Sequence, residues 1–351
     1  MNAPLSRAML VEAPDDLDEL IEFFHARRWS DGLPVVPPTR ERVERMLSGV
    51  NRKPDEAIAR VAPGFGEASI ERIAINAVMA GCRADYLPVL IAAVEAMSAK
   101  EFNLQGIQAT TNPVAIWLVV SGPVAEQLGV NGGMNCLGQG TVANATLGRA
   151  LRLILQNVGG ALPGDMDRAT HGQPGKFSFC CAENDAGNPW ESLHVERGFK
   201  RAQSAVTLIG AAGTHNMNTH AKDADDLIRV LADTIAFPTS NDYWINGEPW
   251  VIISPEHAAI LHEGGLSKVD VKRRLWEESK MRAGRMAHKE LERTQLARSA
   301  ELGTITEDTL LPASKGPEGI GIVVAGGPGT HSVYVASFGD TRAVTRAVTV
   351  S

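Results

Sequence analysis

Apolar residues recur at helical spacing in three segments of the first half of the chain. In residues 15–28 they lie three or four positions apart, which predicts an amphipathic helix. A second apolar stretch, residues 68–97, is interrupted at Gly81 and predicts two helices separated by a turn. Residues 141–158 repeat the helical spacing directly after a glycine-rich loop. We therefore expect a protein that is rich in helices.

A short, continuous apolar run predicts a buried strand rather than a helix. Residues 114–123, VAIWLVVSGP, are apolar until Gly-Pro ends the run, and this length is typical of a buried strand. Such strands between helices predict an α/β fold. We expect two interleaved lobes with mixed sheets, one in residues 61–200 and one in residues 201–351. An N-terminal helix and a proline-rich segment in residues 1–60 precede them.

The proline-rich segment follows the first predicted helix. Pro34, Pro37 and Pro38 force an extended path, and Thr39 predicts the N-cap of a helix that ends at Leu47. We expect the extended segment to wrap around a lobe. Lining a pocket is the alternative.

Two parts of the sequence echo one another. ADYLPVLIAAVEAM followed by VAIWLVVSGP is echoed about 140 residues later by ADDLIRVLADTIA followed by PWVIIS. Each part predicts a helix and then a buried strand. An internal duplication would give two similar lobes with a site between them, whereas chance similarity is the alternative.

A second echo concerns two histidines. VTLIGAAGTH ends at His215 and GIVVAGGPGTH ends at His331, and each predicts a strand, a glycine turn and then Thr-His. Ligands of α/β proteins collect at the carboxyl ends of strands. We therefore expect His215 and His331 to face one cleft, in which His215 is a candidate metal ligand.

Composition and charge exclude some classes of function. The protein has 351 residues, of which 44% are hydrophobic, and a net charge of −7, unlike the basic surface of a nucleic-acid-binding protein. It has no apolar run that could span a membrane and no signal-peptide pattern at its start. Its four cysteines include no CxxC pair. We expect reduced thiols, a cytoplasmic location, and a homo-oligomer.

The segment KFSFCCAENDAGNPWESLHVERGF contains the densest set of reactive side chains. Glu183 lies where the strand should end and is a candidate general acid or base, with a surface carboxylate as the alternative. His194 follows a turn and could move protons or bind a metal, or it could form a structural hydrogen bond. Either Cys180 or Cys181 could be a nucleophile, although packing in the core is the expected role of both.

The glycine-rich loop before residues 141–158 contains GQGTVA, which fits a dinucleotide-binding pattern, but no strand leads directly into it. The start of the helix and Arg149 could instead receive a carboxylate or a heme propionate. Glycines that only form a tight turn are the alternative.

Several segments together resemble a known group of proteins. WSDGLPVVPPT, NAVMAGCRADYLPVLIAAVEAM, TLGRALRLILQNVGGALPGDMD, GKFSFCCAEN and PWESLHVERGF resemble a little-characterised family of soil bacteria, which we relate to trans-anethole oxygenase. The resemblance spans most of the sequence. It implies an oxygenase that acts on a small, hydrophobic aromatic alkene. Such an enzyme uses O₂ to cleave the propenyl carbon–carbon double bond and gives an aromatic aldehyde.

The resemblance also implies a heme cofactor, but it carries no functional residue over to a position in this sequence. A heme would need an axial imidazole, an apolar pocket and donors for its propionates. His215, His331 and His194 are the available ligands, and Arg149 is a candidate for the propionates.

Two other classes of function stay open. One is a metal-independent lyase or hydrolase that uses Glu183, His194 and Cys180 as acid, base and nucleophile. The other is a non-catalytic ligand-binding or assembly subunit.

Overall fold

The computed structural model describes residues 9–349 and has an α/β fold, as predicted. No helix in this range is long and apolar enough to cross a membrane. The helices are α1 (Leu17–Ala26), α2 (Arg40–Leu47), α3 (Ile70–Ala80), α4 (Leu87–Met97), α5 (Leu104–Ala109), α6 (Pro123–Leu128), α7 (Val142–Asn157), α8 (Leu193–Glu196), α9 (Ala224–Ile235), α10 (Asn241–Ile245), α11 (Pro255–Glu263), α12 (Lys268–Glu278) and α13 (His288–Leu302). The strands are β1 (Ala57–Val61), β2 (Gly66–Ser69), β3 (Ala115–Ser121), β4 (Cys180–Ala182), β5 (Ala205–Asn218), β6 (Trp250–Ile253), β7 (Met281–Arg282), β8 (Leu310–Leu311), β9 (Gly321–Val324), β10 (His331–Ser337) and β11 (Val344–Ala347).

The helices predicted from apolar spacing in the first half are confirmed. The side chain of Asp16 caps α1 by accepting from two backbone N–H groups. Gly81 ends α3 with φ 87°, a left-handed conformation that glycine adopts without a steric penalty. Thr39 occupies the N-cap position of α2, although its side chain makes no hydrogen bond there.

The main sheet has a repeated topology. Its strand order is β4-β3-β5-β10-β6-β9, and β11 also pairs with β5. The outer pairs β3–β4 and β6–β9 are parallel, whereas β3–β5, β5–β10 and β10–β6 are antiparallel. The echoed segments of the sequence form α4 and β3 in one half and α9 and β6 in the other. One sheet thus runs through both predicted lobes. The boundaries of the lobes, at residues 61–200 and 201–351, stay a prediction.

The sheet is curled and encloses a core on its inner face. Along β3, Trp117 and Val119 belong to this inner core, whereas the alternating Ile116, Leu118 and Val120 pack on the outer face. Helices α3, α4 and α7 cover the outer face of the first half, and α9, α11 and α12 cover that of the second. Burial on both faces explains why these strands are continuous apolar runs.

The second echo does not correspond to a shared structure. β5 is one strand of 14 residues that continues through His215, so the predicted turn before this histidine is absent. Gly213 stays in the strand because it pairs with Ala336 of β10. The glycines before His331 do form a turn, and His331 is the first residue of β10.

The segment that carries the prolines lies along α7, and it also lines cavities, through Pro37 and Pro38 in one and Asp31 in another. Arg149 of α7 donates to both carboxylate oxygens of Asp31, at 2.8 Å each. Gln156, further along the same helix, donates to the backbone carbonyls of Arg28 and Ser30, also at 2.8 Å. These contacts attach the N-terminal segment to the first half of the fold.

Candidate functional site

The two histidines expected to share a cleft lie on opposite faces of the sheet. His215 pairs with Tyr334, and His331 pairs with Asn218, three residues beyond His215 on the same strand. Residues an odd number apart on a strand point to opposite faces. His215 lines a cavity of about 320 Å³ with Tyr334 and Ser240, whereas His331 is exposed at the start of β10. The structure therefore corrects the prediction of one shared cleft.

Arg149 also has a different role from the predicted one. Besides its bidentate ion pair with Asp31, its Nη2 donates to the carbonyls of Leu33 and Pro34, at 3.2 and 2.9 Å. Its Nε and Nη2 donors are thus directed at the N-terminal segment. Arg149 therefore holds this segment on α7.

The structure does not bring the residues predicted for the heme together. The cavity beside His215 is bordered by the polar side chains of Asn112, Thr239 and Ser240. His331 lies on the other face of the sheet, and Arg149 is committed to Asp31. Among residues 9–349, no three His, Cys, Asp or Glu side chains form a group that could hold a metal ion, but a heme iron needs only one imidazole from the protein.

Glu183 follows the last residue of β4, as predicted, and its carboxyl group is buried. Its Oε2 accepts from the backbone N–H of Leu193 at 2.6 Å, and its Oε1 accepts from Asn188 at 3.0 Å. Burial raises the pKa of Glu183 to about 7, although Lys268 opposes the shift. This carboxyl group can therefore exchange a proton near neutral pH.

His194 lies in the first turn of α8, next to the N–H group that donates to Glu183. The ring is buried, and its Nε2 is 3.4 Å from the carbonyl oxygen of Arg201. Its Nδ1 has no hydrogen-bond partner among the described residues. The fold thus brings the two predicted acid–base residues, Glu183 and His194, to the same end of β4.

The inner core also contains a thiol pair that was not expected from the sequence, Cys136 and Cys181. The two thiols lie close enough in this core to change each other's pKa, and Trp117 Nε1 donates to Cys181 Sγ at 3.4 Å. The backbone N–H groups of Leu137 and Gly326 lie near the Cys136 sulfur. Cys136 is 5% exposed, and Cys181 is fully buried.

These contacts give the two thiols different acidities. The hydrogen bond from Cys181, assisted by the backbone N–H groups, lowers the pKa of Cys136. The same hydrogen bond, followed by burial, raises the pKa of Cys181. The two thiols therefore titrate as a pair, in which Cys136 is the more acidic thiol.

The other two cysteines are structural. Cys180 points to the outer face, where burial raises the pKa of its thiol. Burial raises the pKa of Cys82 to about 12, and its thiol donates to the carbonyl of Thr146 at 3.3 Å. Neither environment favours a thiolate nucleophile.

Asn144, a buried residue in the first turn of α7, holds the loop that carries Cys136. Its Nδ2 donates to the carbonyls of Asn131 and Cys136, at 2.9 Å each, and its Oδ1 accepts from the N–H of Asn131 at 2.8 Å. Gly132 approaches the end of β4 so closely that a Cβ would lie 2.7 Å from the carbonyl oxygens of Ala182 and Glu183. The loop is therefore fixed on β4.

The same loop closes the gap between the two edge strands of the curled sheet. The N–H of Gly326, after β9, donates to the carbonyl of Gly132 at 2.8 Å. The N–H of Asn184 donates to the carbonyl of Val324 at 2.8 Å, and its side chain donates to Gly326 at 3.0 Å. We call the region formed by residues 131–137, 181–184 and 324–327 the junction.

A signal for Cys136 was present in the sequence. The segment NGGMNCLGQG surrounds one cysteine with glycines just before a helix. Such loops expose backbone N–H groups, which stabilise an anion. The same glycines suggested a site for a propionate or a dinucleotide, whereas in the structure their loop carries Cys136 into the inner core.

No protein-family model, no curated protein and no solved structure matches this sequence or fold. The resemblance to trans-anethole oxygenase therefore stays an expectation. The geometry of the junction is the stronger basis for a functional proposal.

Proposed function

We propose that the protein is a thiol-dependent oxidoreductase that reduces a small hydroperoxide, with Cys136 as the attacking and Cys181 as the resolving cysteine. The observation that carries this proposal is the position of Cys136 and Cys181 together in the inner core at the junction. The slight exposure of Cys136 and the complete burial of Cys181 support the assignment of the two roles. Such limited access favours a small substrate.

The chemistry of the pair balances without a metal. The Cys136 thiolate attacks one oxygen of the peroxide, the O–O bond breaks, and the departing alkoxide takes up a proton. Cys136 is then a sulfenic acid. The Cys181 thiol attacks its sulfur and releases water, so that one disulfide forms. A thiol reductant returns the disulfide to two thiols and is itself oxidised to a disulfide.

The environment of Cys136 supports its role as the nucleophile. The thiolate is the reactive form of cysteine, and donors around the sulfur increase its fraction at neutral pH. The N–H groups of Leu137 and Gly326 and the thiol of Cys181 lie near this sulfur and lower its pKa. Because Asn144 and Gly132 fix the loop, these donors are already in place before a substrate arrives.

The test compares single cysteine variants in a peroxide-consumption assay with hydrogen peroxide. We expect Cys136→Ser to abolish the reaction. Cys181→Ser should stop it after the first step, with a sulfenic acid at Cys136 that dimedone labels. Cys180→Ser is the matched control, because it changes a neighbouring buried thiol on the outer face, and it should react like the wild type. Unchanged consumption by Cys136→Ser would refute the proposal.

Glu183 and His194 stay proposed acid–base residues. The pKa of about 7 supports a proton-transfer role for Glu183, whereas its hydrogen bonds to Leu193 and Asn188 also suit a structural role. Glu183→Gln preserves both the size and the acceptor oxygen. A changed pH profile of the peroxide reaction in a stably folded Glu183→Gln protein would favour the catalytic role.

Heme-dependent cleavage of aromatic alkenes also stays a prediction, based on the resemblance alone. Protein expressed with added heme would show a Soret band if heme binds, and His215→Ala and His331→Ala would identify the ligand. The absence of a Soret band would contradict the prediction that the protein binds heme. Because the thiol reaction needs no heme, the two proposals can be tested separately.

A further inference from the structure

A cavity of about 550 Å³ lies beside α7, and no residue of the junction lines it. Its walls come from Asp31, from Arg152 and Gln156 of α7, and from the segment 163–177. The volume is typical of sites for small molecules. We propose that this cavity binds a small organic carboxylate with an aromatic body.

The charges around the cavity leave one cation in excess. Arg152 Nη1 is 3.3 Å from Asp167, and Lys176 Nζ is 2.7 Å from the same carboxylate. Asp31 is neutralised by its bidentate pair with Arg149. Three cations thus meet two carboxylates, and His171 also lines the cavity. The balance favours a ligand with one negative charge.

The excess charge is largely shielded from water. The side chains of Arg152 and Lys176 are 10% and 17% exposed. Burial lowers the pKa of both groups, and Asp167 only partly opposes the shift. Both oxygens of Asp167 already accept hydrogen bonds, from Lys176 and Arg152. A carboxylate ligand would supply the counter-charge that these cations lack.

The remaining walls favour an apolar body on the ligand. Pro163, Ala169 and Pro174 line the cavity, and Phe177 lies at its edge. Phe177 is 53% exposed, so its ring is accessible to a ligand. An aromatic ring of the ligand could pack against it. Inorganic phosphate would neutralise the cations, but it has no apolar part that could pack against these residues.

The experiment measures binding of three probes to the full-length protein by isothermal titration calorimetry. Benzoate presents both the charge and the ring, benzyl alcohol lacks the charge, and inorganic phosphate lacks the ring. We expect benzoate to bind at least about tenfold more tightly than either of the others. Failure of benzoate to bind the folded protein, or equal affinity for phosphate, would overturn the proposal.

Two variants test the two parts of the site. Lys176→Met should weaken benzoate binding at least about tenfold, whereas Lys200→Met, which changes an exposed lysine elsewhere, should not. Phe177→Ala changes an exposed residue, so it should keep the fold and still weaken benzoate binding. Wild-type affinity in both Lys176→Met and Phe177→Ala would refute the assignment. Cys136→Ser should bind benzoate normally, which separates this proposal from the thiol reaction.

Discussion

Replacing Asn144 by alanine tests whether α7 positions the reactive thiol. Asn144 is buried, and its side chain forms three hydrogen bonds, of 2.8 to 2.9 Å, with the backbone of Asn131 and Cys136. The alanine variant removes all three and leaves the backbone of the loop without these partners. The loop should then move relative to the junction.

The stability cost follows from the number of bonds. A typical intramolecular hydrogen bond contributes a net amount of about 1 kcal/mol, so the loss of three predicts a decrease of about 3 kcal/mol in the free energy of unfolding. The thiol should change as well. A displaced loop weakens the N–H contacts to the Cys136 sulfur, and the pKa of Cys136 should rise toward that of an ordinary thiol.

Urea unfolding measures the first effect, and the pH dependence of iodoacetamide alkylation at Cys136 measures the second. Asn157→Ala is the matched control on the same helix. It removes hydrogen bonds to Trp29 and Asn76, so it should lower stability without changing the alkylation profile. If Asn144→Ala lowers stability but leaves the profile of Cys136 unchanged, Asn144 does not position the thiol and the reasoning fails.

Two further predictions concern buried charges. The pKa of about 7 for folded Glu183 lies above the ordinary value of 4.5, so ionisation of this group opposes folding. As the pH rises from about 4 to 8, the free energy of unfolding of the wild type should fall by up to about 3 kcal/mol relative to that of Glu183→Gln. Urea unfolding with the same pH dependence in both proteins would contradict this. Arg149→Met leaves the 4% exposed carboxylate of Asp31 unpaired and should cost about 3 kcal/mol. Adding Asp31→Asn should recover part of this loss, and a double-mutant cycle without coupling would count against the pair.

The parts of the fold that depend on local pattern could be predicted from the sequence. β3 was recognisable because both of its faces are buried, and α3 was delimited by Gly81. The course of β5 could not be predicted in this way. Its second half contains Gly213 and polar residues that suggest a turn, and only the pairing with β10, distant in sequence, makes it a strand.

The site illustrates the same limit. The end of β4 at Ala182 places Glu183 where the sequence predicted it. The acidity of Cys136, by contrast, depends on Cys181 and on the N–H of Gly326, which the fold brings together from three distant segments. The role of Arg149 likewise depends on Asp31, which reaches α7 only because the N-terminal segment wraps along it.

The two tryptophans of the inner core show that the two halves of the sheet differ in chemistry although they share a topology. Trp117 and Trp250 occupy equivalent positions on β3 and β6, and their rings pack edge to face at 6.1 Å. In the parallel partner strands, the register then makes Cys181 equivalent to Val323. Trp117 donates to the Cys181 sulfur, whereas Trp250 Nε1 has no partner within residues 9–349.

The two halves of the sheet therefore contribute different groups to the surroundings of the thiols. The first half supplies both thiols, because Cys136 and Cys181 come from its loop and its strand β4. The second half has an apolar residue at the position equivalent to Cys181, but the N–H of its Gly326 lies near the Cys136 sulfur and donates to the carbonyl of Gly132. Each half alone would lack part of the thiol environment. Closure of the curled sheet at the junction is therefore what creates the proposed site.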